Sequence, residues 1–543
     1  MFKNFFATVF IGLLVWTLAG CGLPGELPKS ETSGVSQSSE SSFFAGDNSN
    51  MVTNAPEAFS LEMIDDDSFN SLSEDDKIYV AKKLYSTFYK GKDINSLKNE
   101  ISTGKFVSEF RKKLYAENVK QPDQDKIFQD TYTISYGGRA GDRLFEKRWR
   151  VFSHIASTLY YTKLSREYFD EWMAYVLEQT ILFSPAYEVE SVKPFPELVA
   201  SNHERITKAL RDNKPIRTIV YEHMISKENW ARFRSPEDNG REMLEIWLYD
   251  YNDADVPLAA KALKNWRWVL AREKNEEGEY GDVYKFYNDF NNSENENNES
   301  VVIRGKSVTT GLDFYRMVAE DEALMSTVVD RLVALFFPTM SSEEKRNISA
   351  SLVESNPTTF AEIFDRIIFS KKYLFESNRI KSIEEIFMGL NHILDMEPSG
   401  TTFRYLFTDG MDGSNQYAFT YKLGRPDEGV SDTDSVIRLH QYIRSTIFLN
   451  RRGGGWDVSR LRDERYKEAE TVADLLNIMF LDIVGRKATE DEMDELTSII
   501  EDAGVSDVSN SWNRFAVMLM TFDYFSRLSE IYTYRKVEVG GEK

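Results

Sequence analysis

One cysteine stands in 543 residues. A lone thiol excludes an intramolecular disulfide and leaves no CxxC redox or zinc motif and no CxxCH for covalent haem. Stability has to come from packing alone. Histidine is nearly as scarce: His154, His203, His223, His392 and His440 are the only five. None lies three or four residues from another and HExxH is absent, so a histidine zinc site would need long-range assembly. No metal site and no cofactor are expected. Proline numbers 14, which favours helices over a loop-rich sandwich. Basic charge is in deficit, with 66 Lys and Arg against 88 Asp and Glu and a net charge of −22. Such a chain repels nucleic acid and anionic headgroups, so neither DNA binding nor a polybasic membrane contact is expected.

Catalytic signatures are missing too. No GxSxG elbow is present. "YGGRAGD" (Gly137, Gly138, Gly141) lacks the Lys-Ser/Thr of a phosphate loop, and "RRGGGWD" (Gly453 to Gly455) lacks the strand-loop-helix spacing. "DGMDGSNQ" offers Asp409, Asp412 and Asn415 but neither the DxDxDG order nor the closing Glu of a calcium loop, so it is expected to be a turn. With 88 acids, no carboxylate pair can be singled out for glycosidase chemistry. No catalytic residue is named.

What is present begins at the N-terminus. Lys3 supplies a positive start, and Phe5 to Leu18 is an apolar run of 14 residues, short for a span of about 20. Leu18-Ala19-Gly20-Cys21 follows. This layout resembles the signal and lipobox of bacterial lipoproteins. The resemblance implies removal of residues 1–20 and acylation of Cys21, with the chain anchored in the cell envelope. Two or three acyl chains suffice for stable anchoring at about 0.8 kcal/mol per buried CH2. Gly22, rather than Asp, after the cysteine implies the outer membrane over the inner one. Loss of the single charge of Lys3 takes the net charge from −22 to −23. Residues 21–56 are rich in Ser, Gly, Glu, Asn and Pro and read as a disordered tether.

The rest is long enough for two or more cores, and 36 Phe, 27 Tyr and 9 Trp can fill them. The expected fold is mainly α, with helix-turn-helix units and little β, divided at 57–290, 301–400 and 401–543, the last beginning with glycine-rich loops. Helical periodicity marks Lys77 to Tyr89, Arg148 to Tyr161, Phe169 to Phe183, Ala259 to Ala271, Met325 to Phe337, Ser382 to Leu394, Ser435 to Leu449, Val472 to Val484 and Trp512 to Tyr532. "TYTISYGGRAGD" at Thr131 reads as a short strand and turn. Asn275 to Ser300 reads as a solvated loop, and Thr401 to Gly429 as glycine-dotted and irregular.

A repeat runs through this pattern. "TLYYTKLS" at Thr158 matches "ALFFPTMS" at Ala334, and Ile181-Leu182-Phe183-Ser184 with Tyr187 matches Ile367-Ile368-Phe369-Ser370 with Tyr373. A looser copy runs from Met479 through Thr489 to Met518-Leu519-Met520-Thr521 and Tyr524. Ser341 with Glu344, and Thr489 with Glu492, have capping-box spacing. Residues 149–190, 327–375 and 471–529 are each expected to form two packed helices, with the tyrosine just past the second. "YYTKLSREYFDEWMAYVLEQTILFSPAYEVES" and "GRKATEDEMDEL" resemble uncharacterised helical families of large exported bacterial proteins. Their pattern is R-x-P-T-x-x-E … I-L-x-S-P-x-F/Y, and they are often fused to cytochrome c modules. This chain departs from them in having no haem motif and no cap proline in the first and third copies. The resemblance implies no activity.

One segment runs against the acidic background. "RRGGGWDVSRLRDERYK", Arg451 to Lys467, gathers Arg451, Arg452, Trp456 and Arg460 near a glycine turn. These four are the candidate contact for a protein or an anionic polymer. The leading expectation is an anchored structural or binding module; the alternative is an anchored hydrolase of an envelope polymer. If the turn binds an anionic partner, replacing Arg451 and Arg452 by Ala weakens its capture in a salt-sensitive way and leaves thermal stability almost unchanged. A pull-down across a salt series, run beside a melting curve, checks this. Easy unfolding with capture intact makes the arginines structural.

Overall fold

The computed structural model describes residues 59–121, 154–185, 196–233, 235–249, 251–274, 280–290, 299–396 and 458–537. The leader, Cys21, the tether, the stretches at 131–142 and 401–449, the turn at Arg451, Arg452 and Trp456, and Tyr187 lie outside the described residues. The fold is mainly α, with two small antiparallel sheets. Among the described residues no helix is long and apolar enough to cross a membrane.

Helix starts follow short polar signals. Helices α1 (Asp66–Asn70), α2 (Glu74–Thr87), α3 (Ile94–Ser102) and α4 (Phe106–Leu114) open the body. Asp65, Ser73 and Asp93 cap the first three, each accepting from the backbone N–H three residues on. α4 follows Lys105 and makes no cap bond of its own. Asp66 of α1 accepts instead from the N–H groups of Val107 (2.9 Å) and Ser108 (3.1 Å). Phe69 and Phe106 stack between the same helices at 5.0 Å.

A helical segment over 154–161 leads to α5 (Arg166–Thr180), capped by Ser165. Next come α6 (Pro196–Arg211), α7 (Ile216–Met224), α8 (Lys227–Arg232), α9 (Pro236–Leu248) and α10 (Asp255–Ala262). α6 packs along α5, and α9 along α10. The helix expected over Ala259 to Ala271 therefore stops at Ala262. Strand β1 (Arg267–Lys274) follows and pairs with β2 (Tyr280–Tyr287), Arg267 opposite Tyr287. Aromatic packing decides this. Buried Trp266 lies 5.6 Å from Trp230 and 5.9 Å from Phe286, and Trp268 lies 5.3 Å from Phe286. β2 in turn corrects the loop or linker expected over Asn275 to Ser300: 280–287 pairs along its whole length with β1, and "YGDVYKFY" carries the aromatic and β-branched residue types that favour a strand. A second hairpin joins β3 (Val301–Ile303) and β4 (Lys306–Val308).

The C-terminal half repeats one device. It comprises α11 (Gly311–Ala319), α12 (Ala323–Phe336), α13 (Ser342–Glu354) and α14 (Phe360–Ile368), a π-helical turn Lys372–Glu376, α15 (Ile383–Ile393), α16 (Val458–Glu464) and α17 (Val472–Met479), a second π-helical turn Phe480–Val484, α18 (Glu490–Asp502), α19 (Ser511–Phe525) and α20 (Ser529–Tyr532). Thr310, Ser341, Thr359, Ser382, Thr471 and Thr489 all form reciprocal capping boxes. The first expected two-helix unit holds the 154–161 segment and α5, whereas the second and third each hold three helices. α14 follows the α12–α13 pair, and α19 follows the α17–α18 pair. Tyr373 sits inside the first π turn, and Tyr524 lies within α19 rather than beyond it. The closer structural match is a shorter unit: π turn, arginine, Ser/Thr cap, glutamate. Arg379 grips Glu385 at 2.8 and 2.5 Å, with Ser382 as cap. Arg486 grips Glu492 at 2.6 and 2.8 Å, with Thr489 as cap. Each arginine forks onto the glutamate that closes the box.

Both π turns end against α2. The Lys83 ammonium, 1% exposed, donates to the carbonyls of Tyr373 (2.6 Å), Leu374 (3.3 Å) and Ser377 (2.6 Å). Lys82 donates to the Asp482 carbonyl in the second turn. Lys90, just past α2, donates to Leu159 and Tyr160 at 2.7 Å each, at the end of the 154–161 segment. These are carbonyls a helix end leaves without an intrahelical partner. Burial and neighbouring Arg379 pull the Lys83 pKa well below its usual value. Three acceptors still require three N–H bonds, which only the ammonium has. Around this hub Trp172 packs on Phe88 (4.9 Å), Phe364 (5.3 Å) and Phe336 (6.4 Å). The apolar core is one cluster from Leu61 to Val537, so residues from each of the three expected divisions share it.

Lys83→Met keeps the stem's packing but orphans three buried carbonyls. Urea unfolding is expected to show a loss of roughly 2–4 kcal/mol. Lys112→Met, on a lysine 77% exposed, should leave the midpoint almost unchanged. Equal small effects from both would show that the cap contributes nothing.

Candidate functional site

Of the four residues expected to form a partner contact, only Arg460 is described. It projects from α16, 45% exposed, and pairs with Asp395. Its neighbours also have internal partners. Arg462 binds Asp463 at 2.6 Å and lies 4.3 Å over the Trp512 ring. Arg465 pairs with buried Asp482, and Lys467 with Glu464 at 3.0 Å. Among the described residues, guanidiniums of this segment lie over two aromatic rings: Arg462 over Trp512, and Arg465 over Tyr466 at 4.5 Å.

Three of the five histidines meet where the 154–161 segment, α5, α6 and α7 come together. His203 lies between two carboxylates, its Nδ1 2.8 Å from Glu178 Oε2 and its Nε2 2.9 Å from Glu171 Oε2. With a carboxylate oxygen facing each nitrogen, both nitrogens donate, which makes the ring an imidazolium. Burial opposes that charge, but the charge of Glu178 and hydrogen bonds to both glutamates overcome it and push the His203 pKa up to about 10. Burial and the neighbouring charge of His203 pull His154 down to about 4. Burial, then Arg205, holds His223 well below its usual value. Arg205 Nη2 donates to Asn202 Oδ1 at 2.7 Å and lies 3.0 Å from His223 Nδ1; Asn202 donates to Glu178 at 2.7 Å. Nothing in the spacing of these histidines signals the meeting. Each lies on a different element, and only the packing of α6 along α5 joins them. Among the described residues no group of three or more His, Cys, Asp or Glu is placed to bind an ion.

The second concentration of charge is a cavity of about 70 Å³ between α2, α15 and the second π turn. Lys82, Lys83, Lys90, Lys92 and Lys381 line it with the single carboxylate Glu385, over apolar walls from Leu97, Ile386, Leu390, Ile393, Ile483, Val484 and Ile531. Glu385 is fully engaged by Arg379, by the Ser382 N–H (2.7 Å) and by Tyr534 Oη (2.9 Å). Lys92 is neutralised by Glu100. Burial lowers Lys82 and Lys381 to about 8 each. At one wall two glycines bring backbones together: a Cβ on Gly91 would come within 2.1 Å of the Gly389 carbonyl oxygen.

Compared with protein-family profiles, with curated proteins and with solved structures, the chain matches none.

The His203 cluster gives a signed pH dependence. The folded pKa of His203 stands near 10, above an ordinary value of 6.5. Its charged pairing therefore stabilises fully below pH 6.5 and is lost as pH rises through about 10. Melting temperatures of the wild type and His203→Gln should differ most near pH 6.5 and converge toward pH 10. A constant gap over that window would show that the ring is not charged in the fold.

Proposed function

We propose that the chain is a lipid-anchored protein of the cell envelope, held in the outer membrane rather than the inner, that works as a structural or binding module without catalysis of its own. The anchor reading rests on the signal and lipobox pattern ending at Cys21. The module reading is carried by one observation: the charged groups at the centre of the fold, Lys83, Lys90 and Glu385 among them, hold helices together. Lys83 and Lys90 close helix ends. Glu385 and Glu492 are each gripped by an arginine, and the glutamates around His203 face its ring. A general acid–base pair needs a carboxyl left available to substrate. The alternative, an anchored hydrolase of an envelope polymer, could draw on Glu171 and Glu178, the two carboxylates that meet on His203. The acidic body speaks against nucleic acid as a partner.

Cys21→Ser tests the anchor. The variant should leave the membrane fraction and fail to incorporate labelled fatty acid; retention with label overturns the reading. The module reading is tested separately by incubating the purified wild type with envelope polysaccharide and peptidoglycan. No product should form. Product formation that disappears in a folded Glu171→Gln variant would establish the hydrolase instead.

A further inference from the structure

Two cations of the lysine-lined cavity differ from the rest. Lys83 fills all three of its N–H bonds with carbonyls. Lys90 has two carbonyls and the Tyr168 ring 4.2 Å away. Lys92 has Glu100. Lys82 has one acceptor, the Asp482 carbonyl, and Lys381 has one, the Glu530 carbonyl at 2.6 Å, with the Tyr534 ring 5.1 Å from its ammonium. An ammonium carries three N–H bonds, so two on each of these lysines find no acceptor among the described residues. Both side chains are half-buried and line the same cavity.

The electrostatics around them are one-sided. Five lysines face one carboxylate, and that carboxylate already belongs to Arg379. The other acids nearby are also held. Asp482 is bound by Arg465 and by Tyr466 Oη at 2.9 Å, Glu530 by Arg486 at 2.9 Å, and Asp93 caps α3. Charge repulsion runs between Lys82 and Lys381 themselves. Uncompensated like charges in a partly dry site are costly, and a counter-charge that accepts hydrogen bonds offsets that cost. A chain with 22 more acidic than basic charges has no need to gather cations for solubility. A low-dielectric cleft of one sign focuses its field on small ions of the other.

We propose that the cavity is a binding site for a small oxyanion, a phosphate or the phosphate group of a larger molecule, held by Lys82 and Lys381 in charge-assisted hydrogen bonds. Lys83 and Lys90 set the positive background while remaining structural. The cavity's aliphatic walls come from Leu97, Ile386, Leu390 and Ile483, and its volume of about 70 Å³ suits a small ion or group. This goes beyond the anchored-module reading and does not depend on acylation of Cys21.

The test uses the full mature chain at pH 8 and constant ionic strength. Inorganic phosphate replaces sodium chloride stepwise while the melting temperature is followed. A saturable rise of several degrees is expected, as for any ligand that binds only the folded state. Binding draws Lys82 and Lys381 toward the charged form, so calorimetry in buffers of different ionisation heat should show proton uptake. Lys82→Met with Lys381→Met should abolish the phosphate response. If that double variant does not fold, amine-specific acylation of the wild type keeps the test decisive: phosphate must shield Lys82 and Lys381 and leave exposed Lys112 reactive. A sugar phosphate as a second probe separates the sources. A response to inorganic phosphate alone marks a free ion, and a response to the monoester marks a group on a larger molecule. Either supports the site. A response equal to that of sodium chloride, or one that survives in the folded double variant, overturns it.

Discussion

Helix ends closed by lysine side chains are the interaction on which the rest of this structure depends. A helix terminus that packs into a protein interior brings carbonyls no helical N–H can reach. Burying them unpaired costs on the order of 1–3 kcal/mol each. Here α2 and the turn after it send Lys82, Lys83 and Lys90 to three different termini, so one element completes three others. The match is electrostatic as well as geometric. A helix C-terminus carries partial negative charge, which lets these cations lie inside the body without a carboxylate for Lys83 or Lys90. An acidic chain thereby buries two lysines whose partners are backbone carbonyls, while its buried acids Asp482 and Glu385 are met by arginines.

Local features of the fold were legible in the sequence and long-range ones were not. Ser341 with Glu344 and Thr489 with Glu492 announce capping boxes because a box is written within four residues. The same spacing at Ser382 and Glu385 was open to the same reading. The three-residue step from Arg379 to Ser382, and from Arg486 to Thr489, was also on view. Its meaning was hidden, since only the folded turn swings the guanidinium onto the box. β1 was missed because Ala259 to Ala271 keeps helical spacing. Trp266 and Trp268 settle the issue through Trp230 and Phe286, which lie outside any local window. Asp66 closing α4 from another helix is hidden for the same reason.

The candidate sites show that gap most sharply. The scan for histidine ligands sought spacings of three or four, a search for one helix face. His154, His203 and His223 instead converge from three elements, and the glutamates they meet are anonymous among 88 acids. The lysine cavity is hidden more deeply still. Lys82 and Lys381 stand 299 positions apart in a chain whose charge balance points away from anions. A net charge averages over a surface, whereas recognition happens in a cavity a few residues wide.

The strap around the first π turn carries a consequence for how the chain folds. On one side Ile64 N–H donates to Phe369 O and Lys371 N–H to Glu62 O, both at 2.8 Å. On the other, Tyr534 N–H donates to Arg379 O at 3.0 Å and Val537 N–H to Phe375 O at 2.7 Å. Tyr79 Oη meets the Arg535 carbonyl at 3.0 Å, across 456 positions. The central module is thus clasped by segments from the two extremes of the body. Until residues 533–537 are in place, the turn that α2 caps has only half its clasp. A pair separated by 456 positions forms only after a long loop has closed, and such searches are slow. The clasp therefore ties the ordering of the first π turn to the slowest class of contact in the body.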